Sequence, residues 1–201
     1  MIRVLLAEDQ AMVRGALASL LGLEDDIEVV AQVERGDKVV EVAVKTSPDV
    51  ALLDIEMPGQ DGITAAGELR TRLPSCRTLI LTVFGRPGYL RKAIDAGVSG
   101  FLLKDAPPDE LAAAIRRTAK GEKVIDTQLA VAALSEGSSP LTPRERDVLA
   151  MSTRGASVEE IARSLHLTNG TVRNHLSIAI QKLNARNRVE AARIAEEKGW
   201  L

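Results

Sequence analysis

Val50-Ala51-Leu52-Leu53-Asp54 sets four consecutive apolar residues directly before an acid. A strand with one solvated face would alternate apolar and polar residues, so this run reads as a central strand covered on both faces. Working outward, residues 3–7, 28–33, 78–83 and 100–103 repeat the short β-branched or leucine-rich signature. Amphipathic stretches follow at about 11–21, 37–46, 62–72, 87–96 and 108–119. Strand and helix therefore alternate five times, which predicts an α/β fold over residues 1–120: a five-stranded, doubly wound parallel sheet. Ligands of such sheets bind beyond the carboxyl ends of the strands, so those ends are where chemistry is expected.

Residues 121–140 break the alternation. Gly121, Gly137, Ser138, Ser139 and Pro140 flank a candidate short helix from Asp126 to Leu134, and the stretch reads as a linker. Residues 141–201 carry no strand signal and predict a second, all-α domain. Three helix starts there place a capping side chain three residues before a Glu: Thr142 with Glu145, Ser157 with Glu160, and Asn187 with Glu190. Thr168 or Asn169 caps a fourth.

A chain of 201 residues is too long for one small core and fits a domain of about 120 residues plus one of about 60. No apolar run reaches the roughly 20 residues that a bilayer requires, so no membrane partner is expected. The first strand meets Glu8 and Asp9 before it could form the centre of a signal peptide, and a cytoplasmic location is expected. Cys76 is the only cysteine, which excludes an intrachain disulfide and a cysteine-based metal site. The net charge of -2 is unevenly spread. Residues 1–120 hold 15 Lys and Arg against 18 Asp and Glu, whereas residues 140–201 hold 10 against 7, so the tail is the part suited to phosphate.

Glu8 and Asp9 follow the first strand, Asp54 the third and Lys104 the fifth, while Thr82 lies near the end of the fourth. Any one of these is an ordinary turn residue; together they fall on one rim of the predicted sheet. Three carboxylates in one place repel unless they share a cation. All-oxygen ligation suits Mg2+. A carboxylate beside that ion is a nucleophile toward phosphorus, with Lys104 and the Thr82 hydroxyl available to the phosphoryl oxygens.

The segment Leu53-Asp54-Ile55-Glu56-Met57-Pro58-Gly59 with Asp61-Gly62, and the segment Phe101-Leu102-Leu103-Lys104, resemble the receiver domain of response regulators. That resemblance implies that Asp54 accepts a phosphoryl group from the phosphohistidine of a sensor histidine kinase. It implies Mg2+ held by Asp9, Asp54 and the backbone carbonyl of Glu56, with Glu8 acting through water. It also implies that Thr82 moves toward the phosphoryl group while Phe101 turns inward. Two positions depart from the family pattern. Asp105 follows Lys104 where many receivers carry proline, so an ordinary trans bond is expected. Val83 follows Thr82 where Ala or Gly is common, and its bulk is expected to hinder the water that hydrolyses the acyl phosphate.

In the tail, Ser157 to Leu165, a turn at His166-Leu167-Thr168-Asn169 and a helix from Gly170 to Leu183 read as a helix-turn-helix. Val172, Leu176, Ile180 and Leu183 share one face, while Thr171, Arg173, Asn174, Ser177, Gln181 and Lys182 lie on the other. The stretch from Leu141-Thr142-Pro143-Arg144-Glu145-Arg146-Asp147-Val148-Leu149 through Val189-Glu190-Ala191-Ala192 resembles the LuxR/NarL-type DNA-binding domain. The resemblance implies promoter DNA as partner, with Arg173, Asn174 and Ser177 facing bases and Lys182 contacting phosphate. Arg86-Pro87-Gly88-Tyr89-Leu90 and the ending Glu197-Lys198-Gly199-Trp200 further resemble one branch of that family, a desaturase regulator.

Residues 11–21 carry only Arg14 and Ser19 as polar side chains, fewer than a helix with a solvated stripe requires. With Leu111, Ile115 and Ala119, and Ala112 to Ala114, on the fifth helix, an apolar patch and a homodimer formed on phosphorylation are expected. The competing readings are a phosphatase acting through an aspartyl phosphate, a regulator with a degenerate receiver, and an RNA-binding antiterminator. Glu56 stands where such a phosphatase has its second catalytic Asp, and Asp9, Asp54, Thr82 and Lys104 together argue against degeneracy. His166 and His175 are nine residues apart, which is no metal-ligand spacing.

Overall fold

Strand β3 (Val50–Leu53) is buried along its whole length, as its uninterrupted apolar run demands. It pairs in parallel with β1 (Ile2–Ala7) on one side and β4 (Arg77–Thr82) on the other. β2 (Ile27–Val33) lies outside β1, and β5 (Gly100–Leu103) lies outside β4. The structure, a computed structural model, describes residues 1–83, 87–125, 139–153 and 155–201. The chain divides into two compact units, one holding this sheet and the other the C-terminal helices.

Among the described residues the sheet has six strands in the order β2-β1-β3-β4-β5-β6, one more than the alternation predicts. The addition is β6 (Val124–Ile125), which pairs in parallel with Gly100 and Phe101 and lies inside the stretch read as linker. Two residues are too few to show a period of two, so nothing local marks them as a strand. The short helix expected from Asp126 to Leu134 lies outside the described residues.

Helices α1 (Ala11–Leu21), α2 (Gly36–Thr46), α3 (Gly62–Arg72), α4 (Pro87–Asp95) and α5 (Pro108–Ala119) connect the strands. Side chains alternate across a strand, so each strand feeds two cores. Val4, Leu6, Leu52, Leu79, Leu81 and Leu102 pack with Leu21 of α1 and with Leu111 and Ile115 of α5. Their neighbours Leu5, Leu53, Ile80 and Phe101 are buried outside that cluster, and α2 and α3 contact the strands there. The strand order reverses between β1 and β3, which opens a crevice at their carboxyl ends. No cis peptide occurs among the described residues, so the bond from Lys104 to Asp105 is trans.

Among the described residues, the second unit holds α6 (Pro143–Thr153), α7 (Val158–Leu165), α8 (Asn169–Lys182) and α9 (Arg188–Glu197). Val148, Leu149, Ile161, Val172, Ala179, Ala191 and Ala195 are fully inaccessible at its centre, with Trp200 packed against them. The caps are largely those the sequence predicts. Ser157 and Glu160 form a reciprocal capping box on α7, and Thr142 with Glu145 does the same on α6. Thr168 caps α8 by accepting from the Thr171 amide. Asn187 caps α9, but Glu190 reaches one residue further back, to the amide and guanidinium of Arg186. Each such cap contributes about 1 kcal/mol by satisfying amides that the first helical turn leaves free. No helix among the described residues is long and apolar enough to cross a membrane.

Candidate functional site

The rim residues converge because each ends or directly follows a neighbouring parallel strand. Glu8 and Asp9 leave β1, Asp54 leaves β3, Thr82 ends β4 and Lys104 leaves β5. Lys104 Nζ lies 2.6 Å from Glu8 Oε2 and 3.2 Å from Asp54 Oδ2. Glu8 is only 1% exposed and Asp54 6%, so the lysine neutralises two carboxylates that water scarcely reaches. One oxygen from each of Glu8, Asp9 and Asp54 lies within 4.8 Å of the others, a spacing that could hold a metal ion. Asp9 Oδ1 is buried and has no hydrogen-bond partner. A buried, unpaired carboxylate oxygen is costly, and a hard cation would satisfy it.

Burial pushes the Asp54 carboxyl above its ordinary value, with Lys104 opposing the rise and Glu8 adding to it. Its Oδ1 accepts from the Ile55 amide at 2.9 Å, which fixes the side chain against its own loop. The loop is closed by Gly62, whose amide donates to the Ile55 carbonyl at 2.9 Å. A Cβ at Gly62 would overlap the carbonyl oxygen of Asp54, so only glycine permits this approach. Glu56 is exposed in the same loop, outside the three-carboxylate cluster. Thr82 and Phe101 are each 1% exposed, whereas Val83 is 63% exposed. Cys76 is buried away from this rim, and burial pushes its thiol up to about 12.

Arg14 was not among the residues that the motifs single out. Its guanidinium Nη1 donates to the backbone carbonyls of Glu8, at 2.6 Å, and Asp9, at 3.3 Å. The available signal is its position as the one charged residue of α1.

In the helical unit, α7, a turn at the left-handed residue His166, and α8 form the expected helix-turn-helix. Val172, Leu176 and Ala179 bury one face of α8, while Arg173, Asn174 and Ser177 are exposed on another. The Thr171 hydroxyl shares a 2.8 Å hydrogen bond with that of Thr168. Lys182 is engaged: its Nζ lies 3.0 and 2.8 Å from the two oxygens of Glu145 on α6. The sequence marks Glu145 as part of a cap but not as this lysine's partner.

A parallel sheet with an acid triad, a hydroxyl and a lysine at its carboxyl rim, joined to a helix-turn-helix, defines a phosphorylation-controlled transcription regulator. Comparison with known proteins bears this out. Residues 4–116 match the response regulator receiver domain, and residues 139–195 match the luxR family of bacterial regulatory proteins. The chain belongs to the response regulators that join a receiver to a LuxR-type DNA-binding domain. It is 48% identical over 201 residues to the transcriptional regulatory protein DesR of Bacillus subtilis, covering 100% of each chain. Among solved structures it resembles RcsB, in a structure of two RcsB dimers bound to two parallel DNAs, with a TM-score of 0.70 and 26% identity over 98% of each chain. It also resembles RcsB of Salmonella enterica serovar Typhimurium bound to the promoter rprA with the phosphomimetic BeF3-. That match has a TM-score of 0.68 and 26% identity over 96% of this chain and 97% of the other.

Proposed function

We propose that residues 1–120 act as the phosphorylated input, residues 121–140 as the connector and residues 141–201 as the DNA-binding output of a cytoplasmic two-component system. A sensor histidine kinase is the phosphoryl donor and Asp54 the acceptor. The single observation that carries the reading is Asp54 at the end of the central strand, 3.2 Å from Lys104 and within the acidic cluster.

In that reading the Asp54 carboxylate oxygen forms a bond to phosphorus as the phosphohistidine P–N bond breaks, and the ring nitrogen keeps the electron pair. Lys104 releases Glu8 and Asp54 to offset charge on the phosphoryl oxygens, and Thr82 supplies a hydroxyl from β4. Glu8, Asp9, Asp54 and the Glu56 carbonyl would hold Mg2+, which supplies charge neutralisation of the phosphoryl group when bound. The buried, unpartnered oxygen of Asp9 supports that fit. Phe101 and Thr82 form the switch that reports the modification to the receiver surface.

Phosphorylation then favours a homodimer that presents two DNA-binding units. Support comes from α1, where Met12 is 87% exposed and Leu20 is also exposed, with Leu23 exposed just beyond the end of the helix. The fifth helix contributes less than its composition suggests, because Ala112 and Ala114 are buried in the core and only Ala113 faces solvent. Thr171, Arg173, Asn174 and Ser177 meet the major groove, Arg and Asn being suited to bidentate contacts with guanine and adenine. Lys182 contributes charge toward phosphate.

Incubation with acetyl phosphate and Mg2+, followed by intact-mass measurement, tests the core of this reading. Wild type gains one phosphoryl group and Asp54→Ala gains none. Full labelling of Asp54→Ala refutes the assignment, and turnover of external phosphomonoesters would favour the phosphatase instead.

A further inference from the structure

We infer that Arg14 is a positioning residue for the divalent-cation site, acting through the backbone that carries Glu8 and Asp9. The inference rests on the reading above, in which those acids hold Mg2+. Lys104 orients Glu8 and Asp54 directly, at 2.6 and 3.2 Å, but it makes no such ion pair with Asp9. Asp9 Oδ1 has no hydrogen-bond partner at all. What holds Asp9 in place is therefore its backbone.

That backbone is gripped from α1. Arg14 Nη1 donates to the Glu8 carbonyl at 2.6 Å and to the Asp9 carbonyl at 3.3 Å, so one guanidinium fastens two consecutive peptide units. The Arg14 amide continues the hold by donating to the Gln10 carbonyl at 2.9 Å, and the Gln10 amide donates to Glu8 Oε1 at 3.2 Å. The Arg14 side chain is 17% exposed, and its Nη2 lies 3.8 Å from Glu34, a carboxylate that is itself 70% exposed. The strong contacts thus run to the metal-site loop rather than to the acid. Three crowded carboxylates would otherwise push the short β1–α1 loop outward, and a charged donor on its carbonyls opposes that movement without occupying a ligand position.

The test is a Mn2+ titration of the full chain, read by electron paramagnetic resonance and calorimetry in the absence of any phosphodonor. Asp9→Ala should lose most of the binding. Arg14→Ala, with every carboxylate ligand retained, should bind about 10- to 100-fold more weakly, the usual cost of removing a support behind a ligand. Arg14→Lys keeps the charge but not the longer, planar guanidinium that places Nη1 against both carbonyls, so it should lie between, and it carries the test should Arg14→Ala not fold. Glu34→Gln should bind like wild type. Wild-type affinity in both Arg14 variants, with Asp9→Ala impaired, overturns the inference and leaves the metal reading standing. Wild-type affinity in Asp9→Ala overturns the metal reading and this inference with it.

Discussion

Lys182 on α8 holds both carboxylate oxygens of Glu145 on α6, at 3.0 and 2.8 Å, and so ties the second helix of the helix-turn-helix to the first helix of its unit. Glu145 is buried, and its Oε2 also accepts from the Thr142 amide at 2.8 Å. One carboxylate thus closes a helix cap and fixes the end of α8. Lys182→Ala should cost about 2 kcal/mol of stability, because it strips a buried carboxylate of its cation, discounted for the lysine's partial exposure. Urea unfolding monitored on the helical unit measures this. A stability unchanged by the substitution would refute this stabilising role.

The same pair predicts an acid response. Burial alone would raise the Glu145 carboxyl, but the Lys182 ammonium and the Thr142 amide outweigh it and hold the group below the ordinary value of 4.5. A depressed folded value contributes stability above the unfolded value, and that contribution is lost as pH falls through the folded one. The helical unit should therefore weaken as the medium is acidified below the ordinary value of 4.5. Glu145→Gln should flatten that slope, and equal slopes in the two proteins would refute the assignment.

Lys104→Ala leaves Glu8 and Asp54 buried beside each other without their shared cation. The receiver should lose about 3 kcal/mol in metal-free buffer. Added Mg2+ should restore more stability to the variant than to wild type, since the ion takes over the lysine's electrostatic role. Differential unfolding with and without Mg2+ distinguishes this from simple loss of packing, which the ion would not repair.

Arg173 and Asn174 stand exposed on α8, so neither is required by the core. Arg173→Ala should cost about 1 to 3 kcal/mol of binding and relax preference at one base pair. Lys182→Ala should weaken all sequences alike. Binding to a panel of single-base operator variants separates the two behaviours, and an unchanged preference profile in Arg173→Ala would remove it from base readout.

Ala16 is exposed on α1 between Met12 and Leu20, one helical turn from each. Ala16→Glu should block pairing of the phosphorylated protein while leaving Asp54 phosphorylation intact. The gain in DNA affinity from presenting two units together, about 100-fold or more, should vanish with it. Sedimentation at DNA-binding concentrations decides the matter. A phosphorylated wild type that occupies its operator as a monomer would rule out this mechanism.

The strand–helix alternation, the helix-turn-helix and three of the four helix caps of the second unit are readable from the chain alone, because each depends on residues within a few positions of one another. Asp54, Thr82 and Lys104 were legible for a similar reason: a parallel sheet sets successive strand ends side by side, so position after a strand already implies proximity. Tertiary structure decided the rest. Val124 and Ile125 form a sixth strand only because the edge of β5 offers them partners. Ala112 and Ala114 are core residues because α5 packs on the sheet with that face, which the spread of alanines around the helix could not settle. The contact of Lys182 with Glu145 depends on the folded paths of separate helices. Although Arg14 is only five and six residues from Asp9 and Glu8, the turn from β1 into α1 decides that its guanidinium meets their carbonyls. Periodicity records which way a side chain faces its own element; only packing brings a guanidinium to another segment's carbonyls or an ammonium to a buried acid on a different helix.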